Sequence, residues 1–110
     1  MRLTTHVLDT STGVPAGGIA ISLYEVDGTV RMALGSAVTN ADGRTDLPLT
    51  DALVSGCYEL TFVVAPYFEA RNVSAFYDEI TIRFRVHDGA RHYHVPLLLG
   101  PWSYSTYRGS

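Results

Sequence analysis

The sequence predicts an all-β sandwich or barrel, on three observations. Turn-forming residues recur at short, regular intervals, apolar and polar residues alternate at period two between them, and only one short stretch reads as helix. With 110 residues, 46% hydrophobic and 17% charged, the chain has room for one domain, residues 1–110, and enough apolar content to bury a core.

The first strand occupies residues 3–8 and is closed by a turn over residues 9–15 that contains Gly13. Asp27-Gly28 separates strands at residues 19–26 and 30–38; the left-handed dihedrals of a tight hairpin suit Asp and Gly. Asn40-Ala41-Asp42-Gly43 makes the next turn. Over residues 57–64, Tyr58, Leu60, Phe62 and Val64 form the apolar face and Cys57 points the other way. A lone thiol without an activating partner reads as a small packing residue. Pro66 suits the first turn of a short helix, and Asn72 the left-handed position that ends it. In residues 79–87, Ile80, Ile82, Phe84 and Val86 share one face, opposite Thr81, Arg83, Arg85 and His87. Asp88-Gly89 leads into residues 92–99, and residues 103–108 form the last alternating segment.

Residues 92–99 carry the most chemical information. Tyr93, Val95, Leu97 and Leu99 are large and apolar and belong in the core, so His92, His94, Pro96 and Leu98 project from the opposite face. Two histidines two apart on a strand lie about 7 Å apart and point the same way. Folding does not need that placement. Pro96 lacks an N–H, which predicts that this strand lies near a sheet edge or is irregular there. A His-X-His pair can supply two metal ligands, with His6 as a third, but no cysteine or acidic residue stands at a convincing spacing, and no metal is expected. If residues 103–108 pair with this strand, Ser103, Ser105 and Tyr107 lie beside Pro96 and Leu98, a surface that reads as an interface lining a cavity.

The remaining composition narrows the function classes. Net charge is −3 and all eight positive residues are arginines spread along the chain, which argues against a nucleic-acid groove or an anionic membrane as partner. One cysteine allows no intrachain disulfide. No run approaches membrane-spanning length and no export signal is visible, so a soluble, cytoplasmic protein is the expectation.

Four segments carry a family resemblance: Leu3-Thr-Thr-His6-Val-Leu-Asp9, Thr39-Asn-Ala-Asp-Gly-Arg44-Thr-Asp46, His92-Tyr-His-Val-Pro-Leu-Leu-Leu99, and the ending Pro101-Trp-Ser-Tyr-Ser-Thr-Tyr107-Arg108-Gly109-Ser110. In this order they resemble the 5-hydroxyisourate hydrolases, the enzymes of the transthyretin-like family, and the likeness covers essentially the whole chain. The one departure is Gly100, where a serine is usual before the proline. The resemblance implies a transthyretin-like sandwich of two four-stranded sheets with one short helix, assembled as a homotetramer around a central channel. It also implies catalytic residues at His6, Arg44 and His94, with Tyr107 and the terminal Ser110 completing a substrate pocket and His92 and Ser105 standing behind them.

The implied reaction opens the six-membered ring of 5-hydroxyisourate by lactam hydrolysis, giving 2-oxo-4-hydroxy-4-carboxy-5-ureidoimidazoline, without a cofactor. Histidine suits water activation and proton donation because its unperturbed pKa of about 6.5 makes both forms available. His94 is assigned as the base, His6 as the orienting or proton-donating partner, and Arg44 as the group that holds substrate oxygens. Two other readings compete: a transthyretin-like carrier binding an aromatic ligand in the channel, and a generic β-sandwich interaction domain. The bulk of Tyr107 in the channel favours the enzyme over the carrier.

Overall fold

The computed structural model describes residues 2–89 and 91–109. Strands β1 (Leu3–Asp9), β2 (Val14–Pro15), β7 (Tyr93–Leu99) and β8 (Tyr104–Thr106) form one sheet in the order β2-β1-β7-β8. Strands β3 (Ala20–Asp27), β4 (Val30–Val38), β5 (Gly56–Val63) and β6 (Glu79–Val86) form the other in the order β4-β3-β5-β6. Helix α1 (Ala65–Glu69) lies between β5 and β6 in sequence. This is the two-sheet sandwich with one short helix that the sequence resemblance implies.

Alternation creates the core. Leu3, Val7, Val95, Leu97 and Leu99 from the first sheet are buried against Ile21, Leu23, Tyr58, Leu60, Phe62 and Ile80 from the second. Each such side chain contributes about 1.5–3 kcal/mol of burial free energy. Strand β1 alternates without a break: its odd positions are buried and Thr4, His6 and Leu8 are half-buried on the outer face. Strands β1 and β7 pair in parallel, Thr4 opposite His94 and His6 opposite Pro96. A parallel pair requires a long crossover, and the chain provides it by building the entire second sheet between them.

One expectation is corrected and another is met. The turn assigned to residues 9–15 contains β2, in which Val14 and Pro15 pair with Asp9 and Leu8; proline is tolerated there because β2 is an edge strand. Strand β7, expected near an edge or irregular at Pro96, lies between β1 and the edge strand β8. The irregularity at Pro96 is seen in the pairing with that neighbour. β8 ends at Thr106, opposite Leu97, and pairing resumes only where the Gly109 N–H donates to the His94 carbonyl, in unchanged register. In that register the interruption starts at Tyr107, opposite Pro96, the one position of β7 without a donor.

Other local expectations hold. Pro66 stands in the first turn of α1, and Asn72 takes φ of 56° just beyond it. The helix is tied to the first sheet by the Tyr67 hydroxyl, which donates to the buried Asp9 carboxylate at 2.8 Å. Burial, followed by the Asp9 contact, pushes Tyr67 up to about 12, so it remains a donor at any physiological pH. On the outer face of the second sheet, Glu59 is buried between Arg31 and Arg83, each 2.8 Å away.

Candidate active site

On the outer face of the β1/β7 pair, Arg2, Thr4, Thr5, Arg44, Thr45, His92 and His94 line a cavity of about 390 Å³. Each side chain is there for a local reason. Outward parity on β1 presents Thr4, and outward parity on β7 presents His94 directly across from it. Arg44 comes from the turn after β4, which is fastened to β1 by the Val7 N–H donating to the Gly43 carbonyl at 2.8 Å. Gly43 has φ of 73°, and a Cβ there would collide with the Val7 carbonyl oxygen, so only glycine lets this turn approach β1. The Asn40 side chain closes the turn by accepting from the N–H groups of Asp42 and Arg44.

His94 is half-buried and its Nδ1 lies 2.9 Å from the Thr4 hydroxyl oxygen, which is also 3.3 Å from His92 Nε2. Desolvation lowers the pKa of His94 below 6.5, and the nearby Arg44 guanidinium lowers it further. Both effects favour the neutral ring, the form that can accept a proton. Arg44 is exposed and carries a permanent charge on the same cavity. A neutral imidazole beside a fixed guanidinium can activate water next to a site that receives negative charge.

The sequence-assigned residues are not all gathered in this cavity. His94, Arg44 and His92 line it. His6 sits next along the same face of β1, opposite Pro96, and is outside the cavity lining. Ser105 is exposed and pairs with Leu98. Tyr107 is 58% exposed and lines a separate cleft of about 250 Å³ with Phe84, Tyr93, Val95 and Arg108. Ser110 lies outside the described residues.

Residues that sequence reasoning had not placed in the site also contribute. Thr4, Thr45 and Arg2 line the cavity, and Gly109 lies against His94. Thr4 shares a face with His6, which was visible in the sequence; its position opposite His94 depends on the parallel β1/β7 pairing, which was not. Among the described residues no group of three or more His, Cys, Asp or Glu could hold a metal ion. Among the same residues, no helix is long and apolar enough to cross a membrane.

Comparison with known proteins matches residues 3–109 to the HIUase/Transthyretin family. A 5-hydroxyisourate hydrolase of Deinococcus radiodurans is 55% identical, covering 98% of this chain and 95% of that protein. The structure of Klebsiella pneumoniae 5-hydroxyisourate hydrolase superimposes with a TM-score of 0.86 at 37% identity, covering both chains completely at 100%. Sea bream transthyretin in complex with thyroxine superimposes with a TM-score of 0.91 at 28% identity, over 99% of this chain and 95% of that one. The fold thus spans a 5-hydroxyisourate hydrolase and a transthyretin in complex with thyroxine, whereas the sequence stands much nearer the hydrolases. This chain belongs to the HIUase/Transthyretin family.

Proposed function

We propose that the protein hydrolyses 5-hydroxyisourate to 2-oxo-4-hydroxy-4-carboxy-5-ureidoimidazoline in urate breakdown. The observation that carries this reading is the half-buried His94, its neutral form favoured by burial, sharing a cavity with the Arg44 guanidinium. In the first step His94 takes a proton from water as the water oxygen bonds to the lactam carbonyl carbon. Charge moves to the carbonyl oxygen, where Arg44 receives it. As that oxygen re-forms its double bond, the carbon–nitrogen bond breaks and the nitrogen takes up the proton held by the imidazolium. His6 orients the substrate or shares in this proton transfer. No covalent enzyme intermediate and no cofactor is needed.

Tyr107 and Ser110 contact substrate in this scheme, and Ser105 supports them. The assembly we propose is a homotetramer whose channel is formed by the β1/β7/β8 faces, so that neighbouring copies bring these groups to the cavity. Phe76 and Trp102 are 67% and 66% exposed and stack on each other, and burying such surface favours association. A carrier role is less well matched, because the cavity lining is two arginines, two histidines and three threonines rather than an apolar slot.

The test is ultraviolet monitoring of urate oxidation by urate oxidase, with and without this protein. Accelerated decay of the oxidation intermediate is expected; an unchanged decay rate overturns the hydrolase reading. Light scattering at micromolar concentration is expected to give four times the chain mass, and a monomer there overturns the assembly.

A further inference from the structure

We infer that Thr4 is a positioning residue: its hydroxyl joins His94 Nδ1 to His92 Nε2 and holds His94 in the tautomer that leaves Nε2 free as the base. This rests on the hydrolase reading given above. A threonine hydroxyl has one hydrogen to donate and lone pairs to accept with. Its oxygen lies 2.9 Å from Nδ1 of one imidazole and 3.3 Å from Nε2 of another, so it donates to one ring and accepts from the other. Neutral His94 carries its single hydrogen on one nitrogen only. If that hydrogen is on Nδ1, it points to the Thr4 oxygen, the Thr4 hydrogen points to His92, and Nε2 keeps a lone pair. The opposite direction puts the hydrogen on Nε2 and leaves His94 unable to accept a proton from water. Base chemistry selects the first arrangement, and the exposed His92 ring is its acceptor end.

The surroundings favour it. Arg2 and Arg44 line the same cavity, His6 stands one step along β1, and the Arg108 guanidinium donates to the His92 carbonyl at 3.4 Å. Of these, the Arg44 guanidinium disfavours an imidazolium at His94 before substrate arrives, so the neutral tautomer is the form that must be set correctly. When His94 Nε2 takes the proton of water, the imidazolium keeps its Nδ1–H on Thr4, and the hydrogen-bond chain needs no rearrangement. Gly109 closes the other side of the ring: a Cβ there would lie 2.6 Å from His94 Cδ2. The ring is thus held between a hydroxyl and a backbone.

The experiment compares the parent with Thr4→Val and Thr4→Ser. Valine keeps the β-branched shape that a strand favours and removes only the hydroxyl; thermal unfolding checks that the fold is kept. Loss of one such hydrogen bond is expected to lower kcat about five- to tenfold with little change in KM, and serine recovers most of the loss. Independently of turnover, 15N NMR of the imidazoles should show His94 protonated at Nδ1 in the parent and a shift toward Nε2 protonation in Thr4→Val. A parent His94 protonated at Nε2, or a Thr4→Val protein with unchanged His94 nitrogen shifts, overturns the inference. Normal nitrogen shifts with no hydrolysis by the parent would overturn the hydrolase reading and leave the Thr4 contact standing.

Discussion

Adding a single methyl group at Gly109 tests how tightly the C-terminal segment fixes His94. A Cβ at this position would lie 2.6 Å from His94 Cδ2 and 3.3 Å from Cγ. Carbon atoms in good contact stand about 3.5–4.0 Å apart, so one side must give by roughly 1 Å. The backbone is poorly placed to retreat, because the Gly109 N–H donates to the His94 carbonyl at 2.7 Å. The ring moves instead, and its 2.9 Å contact with Thr4 is stretched or lost. Gly109 is not among the glycines with positive φ, so alanine brings no backbone strain of its own. A displacement near 1 Å in a catalytic group costs on the order of a hundredfold in rate. Gly109→Ala is therefore expected to lower kcat/KM about a hundredfold in the urate oxidase-coupled assay, with unfolding free energy lowered by about 1–3 kcal/mol. An alanine variant with parental kcat/KM would show that the ring has slack, and would refute this account of the site.

Arg44→Ala is expected to cut turnover by a factor of about a hundred or more, as loss of an oxyanion donor does, with only partial recovery in Arg44→Lys because an ammonium lacks the planar fork. The pH profile follows from burial first and the Arg44 charge second, which hold His94 below 6.5. The base form is the deprotonated ring, so kcat/KM should rise with pH through a limb below pH 6.5, and Arg44→Ala should move that limb upward. Turnover is expected to survive exhaustive chelation, since histidine and arginine supply the chemistry; loss of activity restored by zinc would count against the scheme. Glu59→Gln should cost about 1–2 kcal/mol in urea unfolding while leaving activity intact. The cost is held down because Arg31 and Arg83 keep side-chain exposures of 45% and 58% and return to water when the carboxylate is removed.

Period-two alternation determined much of this protein by itself. It separated Val95, Leu97 and Leu99 from His94 and Leu98, and it placed Thr4 and His6 on one face of the first strand, because side-chain direction along a strand is a local property. The same holds for the left-handed Asn72 and the proline-started helix, which depend on the chain's own dihedrals. The hydrolase family was legible in four segments of the chain, because that likeness rests on residue identity and order alone. What the sequence could not determine is which strand lies beside which. That β7 is interior and parallel to β1, with Thr4 rather than His6 opposite His94, depends on a crossover through an entire second sheet. Alternation along one strand carries no information about the register of its neighbour. The short β2 escaped notice because two edge residues are too few to alternate. The burial of Glu59 likewise required Arg31 from β4 and Arg83 from β6 to converge on β5, a pairing that only the folded sheet decides.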